Sequence, residues 1–385
     1  MSMPSRREYL NVMRRRYRAA TSRKARSAII DEVTATLGYH RKYAIQVLNQ
    51  RPQPPRPPIR RRRKPKYLEC LHVIQLVWQA LDYPCAERLH PVLPETARLL
   101  EAHGVLTLTP QVEAQLAAIS RSTLARYIAK WPSPKITRLV RRPRPSQGIL
   151  SEVPIARYLW NENRPGALEL DLVEHNGGST RGHYAYTLNV TDVVTHYSRR
   201  RAVMGRGQAG IHAQLQLILN EWPYPVWAIH TDNGSEFLNS HLVAFCRERN
   251  LEFTRSRPYR KNDNAHVEQK NRQFVREIVG YERYDTPEEV EWLNRVYATL
   301  DPYVNLFLPT RKVIRKERVQ GRVRKYYDRA QTPFQRALDM GVLYPEAKAQ
   351  LTEMRRRLNP LALHQELELL LLRGPDYLVN DQAAD

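Results

Sequence analysis

Three acidic residues in the middle of this 385-residue chain have the type and placement of metal ligands. Asp171 lies in the apolar run 168–173, Asp232 follows the apolar run 228–231, and Glu268 begins a helical pattern. A carboxylate within an apolar strand is costly to bury unless positive charge meets it. Divalent cations meet that need, and hard oxygen ligands select Mg²⁺ or Mn²⁺. The pattern therefore predicts a metal site.

The spacing of the last two acids is more specific than their type, because 35 residues separate Asp232 from Glu268. The adjoining runs are Thr231-Asp232-Asn233-Gly234-Ser235-Glu236-Phe237 and Glu268-Gln269-Lys270-Asn271-Arg272. Together these features resemble the DDE transposases of bacterial insertion sequences, whose catalytic core is similar to that of retroviral integrases. The resemblance extends over residues 150–300. It implies a ribonuclease-H-like α/β core, which is a mixed sheet with flanking helices. The residues themselves predict a strand at 167–174 followed by strands at 184–194 and 196–204, in an antiparallel meander.

The resemblance also implies the chemistry. Such enzymes cleave at the ends of the element and join 3′-hydroxyls to target DNA, with two Mg²⁺ or Mn²⁺ ions about 3.5–4 Å apart. We expect Asp171 to bridge both ions because it lies mid-strand, and Asp232 and Glu268 to bind one each. Arg272 and Arg276 follow Glu268 at i+4 and i+8 on one helical face, where we expect them to contact DNA phosphates.

Other acids near the triad compete for the same role. Glu169 precedes Asp171 by two residues and shares its strand face, so it stays open as an alternative ligand. Asp192 ends an apolar strand, which favours a structural role in a turn. Glu236 is placed to favour a helix N-terminus, and Asp263 lies in a polar, basic loop.

The net charge of +23 is distributed unevenly along the chain. Residues 1–150 hold 29 Lys and Arg against 9 Asp and Glu, a net charge of +20. Residues 151–300 hold 18 against 19, a net −1, and residues 301–385 hold 15 against 11, a net +4. Such a balance favours a polyanionic partner. We expect double-stranded DNA, bound by basic modules ahead of the core; a soluble basic protein of another kind is the alternative.

Residues 1–50 are predicted to form a helix-turn-helix module. Apolar residues recur at helical spacing in three segments, Ser22 suits an N-cap, and Gly38 ends the second helix. The apolar set of the third segment is Tyr43, Ala44, Val47 and Leu48. The third helix, 39–49, would then lie in the major groove. The residues expected to contact DNA are Arg41, Lys42 and Gln46. An ordinary helical bundle with a charged solvent face is the alternative.

A second helical module, again of the helix-turn-helix kind, is predicted for residues 67–131. Ser120 is the expected N-cap of its last helix. The residues of that helix expected to contact DNA are Arg121, Arg126 and Lys130. An alternative zinc site would use Cys70, His72, Cys85 and His90. Their spacing fits no standard pattern, and Cys70 and His72 diverge on a helix, which disfavours zinc.

Composition therefore predicts a multidomain chain. The predicted segments are a helix-turn-helix module 1–50, a basic Pro-rich linker 51–66, a second helical module 67–131, a linker 132–150, a ribonuclease-H-like integrase core 151–302, and a small basic C-terminal region 303–385 with a helical tail. Proline keeps the linkers extended. A small hairpin or barrel is expected around Gln320-Gly321.

Three cysteines, an odd and sparse set, favour a reducing compartment, and the Leu-rich run 361–372 is too short to span a bilayer. A cytoplasmic protein is expected. Three functions remain open: a transposase, a decayed or non-catalytic helix-turn-helix DNA-binding regulator, and a ribonuclease-H-like nuclease. Because both ends of an element must be held before joining, the resemblance implies a homo-oligomer on DNA, with helices 287–300 and 361–372 as candidate contact surfaces.

Overall fold

The computed structural model describes residues 3–52, 66–132, 164–231, 237, 240–255, 269–319 and 322–375. The chain divides into two compact units, Met1–Pro65 and Lys66–Asp385. None of the helices in the described ranges has both the length and the apolarity that crossing a membrane requires. Most of the two predicted linkers lies outside these ranges. Of the acids discussed above, Asp232, Glu236, Asp263 and Glu268 lie outside these ranges.

The first unit is a bundle of three helices. They are α1, Met3–Ala19, α2, Arg23–Leu37, and α3, Arg41–Asn49. The Ser22 hydroxyl accepts a hydrogen bond from the Ala25 amide at 3.1 Å, and Gly38 ends α2 with a left-handed φ of 67°. Both helix ends agree with the sequence prediction. Three residues separate α2 from α3, a spacing that a helix-turn-helix also has, and the assignment of this module stays a prediction.

The core of this bundle differs from the prediction at one position of α3. The buried residues of α3 are Ala44, Val47 and Leu48, which pack with Val33 of α2. Tyr43 was expected on the same face, but its side chain is 49% exposed. It lies 4.8 Å from Tyr39, edge to face, so the ring is covered by its neighbour in the turn rather than by the core.

Four helices open the second unit and pack into the same core as the sheet. They are α4, Leu71–Ala80, α5, Ala86–Ala102, α6, Pro110–Ala118, and α7, Arg121–Ile128. The Ser120 hydroxyl accepts from the Thr123 amide at 3.3 Å, which makes it the predicted N-cap of α7. Buried residues of α4 to α7 and of the strands form one continuous hydrophobic cluster. The Tyr303 hydroxyl also donates to the Ala80 carbonyl at 2.9 Å.

A five-stranded mixed sheet forms the centre of the second unit. Its strands are β1, Ala167–Glu174, β2, Ala185–Asp192, β3, Ser198–Met204, β4, Ala228–Thr231, and β5, Glu252–Arg255. The order is β3-β2-β1-β4-β5, with β1 to β3 an antiparallel meander and β4 and β5 parallel to β1. The meander was predicted from the sequence. The architecture is compatible with the ribonuclease-H-like integrase core that the resemblance implies.

Helices cover both faces of this sheet. They are α8, Gln208–Asn220, α9, Ser240–Glu248, α10, residues 269–279, and α11, Pro287–Leu306. Gly210 of α8 lies against Val203 on one face, which carries the leucines of β1 and β2. On the other face, the Tyr297 hydroxyl of α11 hydrogen-bonds the Thr187 hydroxyl of β2 at 2.8 Å. The polar residues of the strands therefore lie beneath α10 and α11.

Helix α10 is not a regular α-helix, although the sequence predicted one. Residues Arg272–Arg276 form a π turn, and Glu277–Val279 return to α geometry. Hydrogen bonds in a π turn run from i to i+5, so the turn holds one more residue than an α turn. Consecutive residues Phe274 and Val275 are both buried within it.

The C-terminal region contains the predicted hairpin and three helices. They are β6, Val313–Val319, β7, Arg322–Tyr327, α12, Pro333–Asp339, α13, Pro345–Arg357, and α14, Pro360–Arg373. Helix α14 packs on α11: the Trp292 indole donates to the Leu370 carbonyl at 3.2 Å, and the Thr299 hydroxyl donates to Glu366 at 3.2 Å. These two helices were candidate oligomer surfaces, and their packed faces are used within their own chain. Leu369 and Leu372 stay exposed.

Candidate active site

A row of polar residues crosses the centre of the sheet beneath α10. Asp171 on β1 lies opposite Asn189 on β2, and Asn189 lies opposite Arg200 on β3. Directly opposite residues of antiparallel strands share one face, with Cβ atoms about 4.5–5.5 Å apart. The row therefore places the predicted ligand Asp171 beside the amide residue Asn189, with strand β2 between Asp171 and Arg200.

The carboxylate of Asp171 is held by two hydrogen bonds. Its Oδ1 accepts from the Leu172 amide at 2.9 Å, and its Oδ2 accepts from Nδ2 of Asn271 at 2.5 Å. Asn271 in turn accepts from Nδ2 of Asn189 at 2.7 Å. The chain of amides joins α10 to β2 and β1 and fixes the orientation of the half-buried Asp171 side chain.

Asn271 was quoted in the motif after Glu268, but the sequence analysis gave it no role. Its spacing carried a signal, since a residue at i+3 lies on the same helical face as Glu268. The partner was not predictable, because Asn271 and Asp171 are 100 residues apart in the chain.

The other two predicted ligands, Asp232 and Glu268, lie outside the described residues, but the residues next to them are described. Thr231 precedes Asp232 and pairs with Leu170, which precedes Asp171. Gln269 follows Glu268 and begins the described part of α10. Within the described ranges, no group of three or more His, Cys, Asp or Glu has a metal-binding arrangement. The oxygen donors of Asp171 suit Mg²⁺ or Mn²⁺.

The alternative ligand Glu169 lies deeper than Asp171. It is fully buried, whereas Asp171 is half-buried, and it sits between Thr191 of β2 and His230 of β4. The His230 ring bonds the Thr254 hydroxyl at 2.8 Å, so this second row is polar across the sheet. Glu169 therefore shares the strand face of Asp171, as predicted, but not its access to solvent.

Asp192 has the structural role that its position at a strand end predicted. Its Oδ1 accepts from the amides of Val194 and Thr195 at 2.8 and 2.7 Å, and its Oδ2 accepts from the Gly166 amide at 2.6 Å. Burial raises the pKa of Asp192, and these hydrogen bonds lower it. The carboxylate ties the β2–β3 turn to the start of β1.

The two arginines predicted to contact DNA from α10 differ in exposure. Arg272 is 79% exposed and pairs with Glu277 at 3.2 Å, which is the i, i+5 contact of a π turn. Arg276 is partly buried, and its guanidinium lies 4.6 Å from the centre of the Tyr281 ring. Burial lowers the pKa of Arg276, while Tyr281, Tyr297, Glu174 and Asp171 raise it. The predicted phosphate contacts stay predictions.

The residues of the first unit predicted to contact DNA are all exposed on α3. Arg41 is also engaged within the unit, because it pairs with Asp31 and donates to the Ser27 hydroxyl at 2.6 Å. Lys42 and Gln46 have exposed side chains. Among the three residues predicted to contact DNA, Arg41 therefore also helps to hold α3 against α2.

The corresponding residues of the second module are exposed as well. Arg121 and Arg126 lie on α7, and Lys130 follows its end. Arg126 donates to the Thr123 hydroxyl at 3.0 Å. Their contact with DNA also stays a prediction.

The cysteines and histidines of the alternative zinc set have other neighbours. Cys70 is buried, its thiol donates to the Tyr67 carbonyl at 3.4 Å, and burial raises its pKa to about 11. Cys85 is exposed, and the His90 ring bonds the Ile119 carbonyl at 2.9 Å. The four residues are all described and form no metal cluster.

Two buried cations beside the polar row were not predicted. Arg200 is 3% exposed and pairs with the buried Asp301 of α11. Lys270 is 4% exposed, and its ammonium lies 4.8 Å from the centre of the Phe274 ring. Burial lowers the pKa of Lys270 to about 7, and the charges of Arg200, Arg88 and Arg336 act in the same direction.

Comparison with known proteins gave matches of two kinds, in sequence and in structure. No family model matches the chain. Its sequence is 36% identical over 329 residues to the uncharacterized protein y4rM of Sinorhizobium fredii (strain NBRC 101917 / NGR234), across 85% of this chain and 93% of that protein. Among solved structures, the catalytic core domain of BIV integrase aligns with a TM-score of 0.23 and 14% identity, over 28% of this chain. The alignment spans 64% of that core, slightly under two thirds of its length.

Proposed function

We propose that this chain, which belongs to the same protein family as y4rM of Sinorhizobium fredii, is a DDE transposase with an integrase-like core. In this proposal it binds the terminal repeats of an insertion sequence, cleaves at the ends, and joins 3′-hydroxyls to target DNA. Asp171, Asp232 and Glu268 are its catalytic residues and hold two Mg²⁺ or Mn²⁺ ions.

The hydrogen bond from Asn271 to Asp171 is the observation that supports this proposal most directly. It brings the described start of α10, one residue after Glu268, to the side chain of Asp171. The pairing of Thr231 with Leu170 brings the residue before Asp232 to the same place on the sheet. Consecutive Cα atoms are only about 3.8 Å apart, so both flanking segments converge on Asp171.

The demands of phosphoryl transfer explain why Asp171 is held so firmly. Bound ions activate the attacking hydroxyl and stabilise the leaving oxygen. The protein has to keep its charged groups in place as charge develops on the phosphate, because reorganisation would add to the barrier. Asp171 meets this demand through its place in the centre of the sheet and its two hydrogen bonds.

Contacts with duplex DNA are assigned to exposed basic and amide side chains away from this row. Lys42 and Gln46 of α3 would read bases, while Arg121, Arg126 and Lys130 contribute phosphate contacts. Arg272, at 79% exposure, is the residue of α10 best placed to contact a phosphate next to the reacting one. Phosphate contacts weaken steeply with salt, so binding to the terminal repeats is expected to fall as salt rises.

Substitution of the three acids tests the proposal. We expect Asp171→Asn, Asp232→Asn and Glu268→Gln each to abolish cleavage and joining with Mg²⁺ or Mn²⁺, while binding of terminal-repeat DNA stays near the wild-type level. The reason is that each change removes a negative oxygen ligand and preserves size. The matched control is Glu248→Gln, because Glu248 is an exposed acid at the end of α9.

The assay separates the alternatives. A variant with near-wild-type cleavage would show that its acid is not a ligand; if that acid is Asp171, then Glu169→Gln is the next variant to test. Cleavage without joining, by the wild-type protein, would identify a nuclease. Binding to repeats without any cleavage would identify a DNA-binding regulator.

A further inference from the structure

A small cleft in the second unit has an unusual lining. Arg88 of α5, Lys270 of α10 and Arg311, which precedes β6, bring three cationic side chains to it. Hydrogen-bonding groups complete the wall, among them the side chains of Gln269 and Thr310. Among the residues that the structure describes, no carboxylate lines the cleft.

Two basic residues next to the cleft form ion pairs with carboxylates, whereas the three that line it do not. Arg200 pairs with Asp301, and Arg336 pairs with Asp328. Arg336 also donates to the Thr310 carbonyl at 2.9 Å, so it holds one wall of the cleft in place.

The three lining cations lack such partners. In the described part of the chain, no carboxylate lies within ion-pair distance of Arg88, Lys270 or Arg311. The supporting cations of this region therefore have ion-pair partners, and the three cations that line the cleft have none among the described residues.

Lys270 is the strongest argument for an anionic ligand, because its side chain is buried without a carboxylate partner. Its side chain is 4% exposed, and its ammonium contacts the Phe274 ring, which Arg200 also approaches at 5.0 Å from the centre. One ring cannot neutralise two cations, so the charged form of Lys270 is costly unless an anion lies beside it. A residue kept at that cost is expected to serve a ligand of opposite charge.

We propose that this cleft binds a phosphate group. Guanidinium groups match phosphate oxygens with paired hydrogen bonds, an ammonium adds a compact positive charge, and amide and hydroxyl donors suit the remaining oxygens. The phosphate belongs either to the backbone of a DNA duplex or to a free phosphate compound. None of the residues that line the cleft is one of the three proposed catalytic acids, although Gln269 adjoins Glu268 in the chain.

The full-length chain is tested with two probes at constant ionic strength. Inorganic phosphate is titrated against chloride and followed by the thermal unfolding midpoint, which a ligand of the folded state raises. A DNA duplex is titrated at several salt concentrations and followed by fluorescence anisotropy. The variants are Arg88→Ala, Lys270→Met and Arg311→Ala. Their matched controls are Arg295→Ala and Lys348→Met, because Arg295 and Lys348 are exposed and do not line the cleft.

We expect each cleft variant to bind at least one probe about tenfold more weakly than wild type, which is the loss of one charged hydrogen bond. In the duplex titration, each should also lower the slope of log affinity against log salt by about one. Lys270→Met should raise the unfolding midpoint without ligand, because it replaces a buried polar group with an apolar one of similar length. If Lys270→Met does not fold, the binding affinities of Arg88→Ala and Arg311→Ala test the proposal, because both arginines are partly exposed.

The pattern of results assigns the source of the phosphate. A loss confined to the duplex supports a backbone phosphate, and a loss confined to inorganic phosphate supports a free phosphate compound. Wild-type affinity of the cleft variants for both probes overturns the proposal. Asp171→Asn should bind both probes normally, so failure of the proposed catalytic function would leave this result unchanged.

Discussion

Asn271 is the residue through which α10 acts on Asp171. Its amide donates to the carboxylate at 2.5 Å and is itself oriented by Asn189. We expect Asn271→Ala to raise the Mg²⁺ or Mn²⁺ concentration needed for half-maximal activity roughly tenfold or more, because partners of ligating groups commonly contribute that much to metal affinity. DNA binding should not change.

Asn294→Ala is the matched control for this positioning role. The Asn294 side chain bonds both the amide and the carbonyl of Ala202 at 2.9 and 3.1 Å, so it joins α11 to β3 and does not contact the polar row. Its replacement should lower the unfolding midpoint and leave the metal dependence alone. Equal metal dependence of Asn271→Ala and wild type would remove Asn271 from the site.

His175 should make the fold sensitive to mild acid. It is fully buried, its ring bonds the Thr187 hydroxyl at 2.8 Å, and burial, with a smaller effect of Arg276, lowers its pKa from 6.5 to about 3. The folded state therefore stays unprotonated where the unfolded chain takes up a proton. This contribution is fully present above pH 6.5 and is lost as the pH falls toward 3, by up to about 1.4 kcal/mol per pH unit.

Denaturant titrations at pH 7.5 and pH 5 measure this effect. Wild type should lose roughly 2 kcal/mol between them through His175, and His175→Gln should lose correspondingly less, whatever its stability at pH 7.5. His183→Gln is the control, because His183 is exposed. The same loss in His175→Gln as in wild type would assign the acid sensitivity to other groups.

At the residue scale, the sequence predicted those roles that depend on near neighbours. The role of Asp192 in a turn followed from its place at a strand end, and the caps at Ser22 and Ser120 followed from helix starts. The contact of Asn271 with Asp171 could not be predicted, because the two residues are 100 positions apart in the chain.

At the scale of the element, the backbone conformation of Gly38 alone sets the stability effect of a substitution there. It ends α2 with a φ of 67°, and no atom lies within 4 Å of where a Cβ would be. Gly38→Ala should therefore cost about 1–2 kcal/mol through the left-handed conformation, without any clash. Gly207→Ala is the control, since Gly207 has a φ of −63° and the same open space. Equal unfolding midpoints for the two variants would contradict this account.

Elements with regular periodicity were predicted well. The bounds of β1 agree with the predicted 167–174, because one apolar alternation runs through the whole strand. The π turn of α10 was missed. One additional residue changes the period over only a single turn, which is too short for a pattern of apolar residues to register.

At the scale of the whole molecule, the division at residue 65 predicts two unfolding transitions. Removal of residues 1–65 should eliminate one of them and leave the other unchanged, as measured by calorimetry. Proteolytic cleavage between residues 133 and 150 should not release α4 to α7, because they share a hydrophobic cluster with the sheet. Dissociation of a folded fragment 66–132 after such cleavage would contradict the shared core.

The sequence did contain a signal for that shared core. Helix α4 is apolar around much of its circumference, and Val73, Ile74, Val77, Trp78 and Ala80 are all buried in the structure. A helix that is hydrophobic on most sides needs cover from more than one neighbour, which a small separate module does not offer. The basic Pro-rich run 132–150 instead suggested a boundary between two domains. Composition alone does not show whether the segments on either side of a linker pack against each other.

The π turn of α10 sets the rotation of one end of this helix relative to the other about the helix axis. Residues 269–271 carry the side chains directed to Asp171 and to the cleft, whereas Val279 is anchored in the core. Because an α-helix turns by about 100° per residue, deletion of any one of the five residues 272–276 would restore a continuous α-helix and swing the first end by that angle. Asn271 and Lys270 would lose their present directions together. The irregular turn thus couples the orientation of both sites to the length of one short segment.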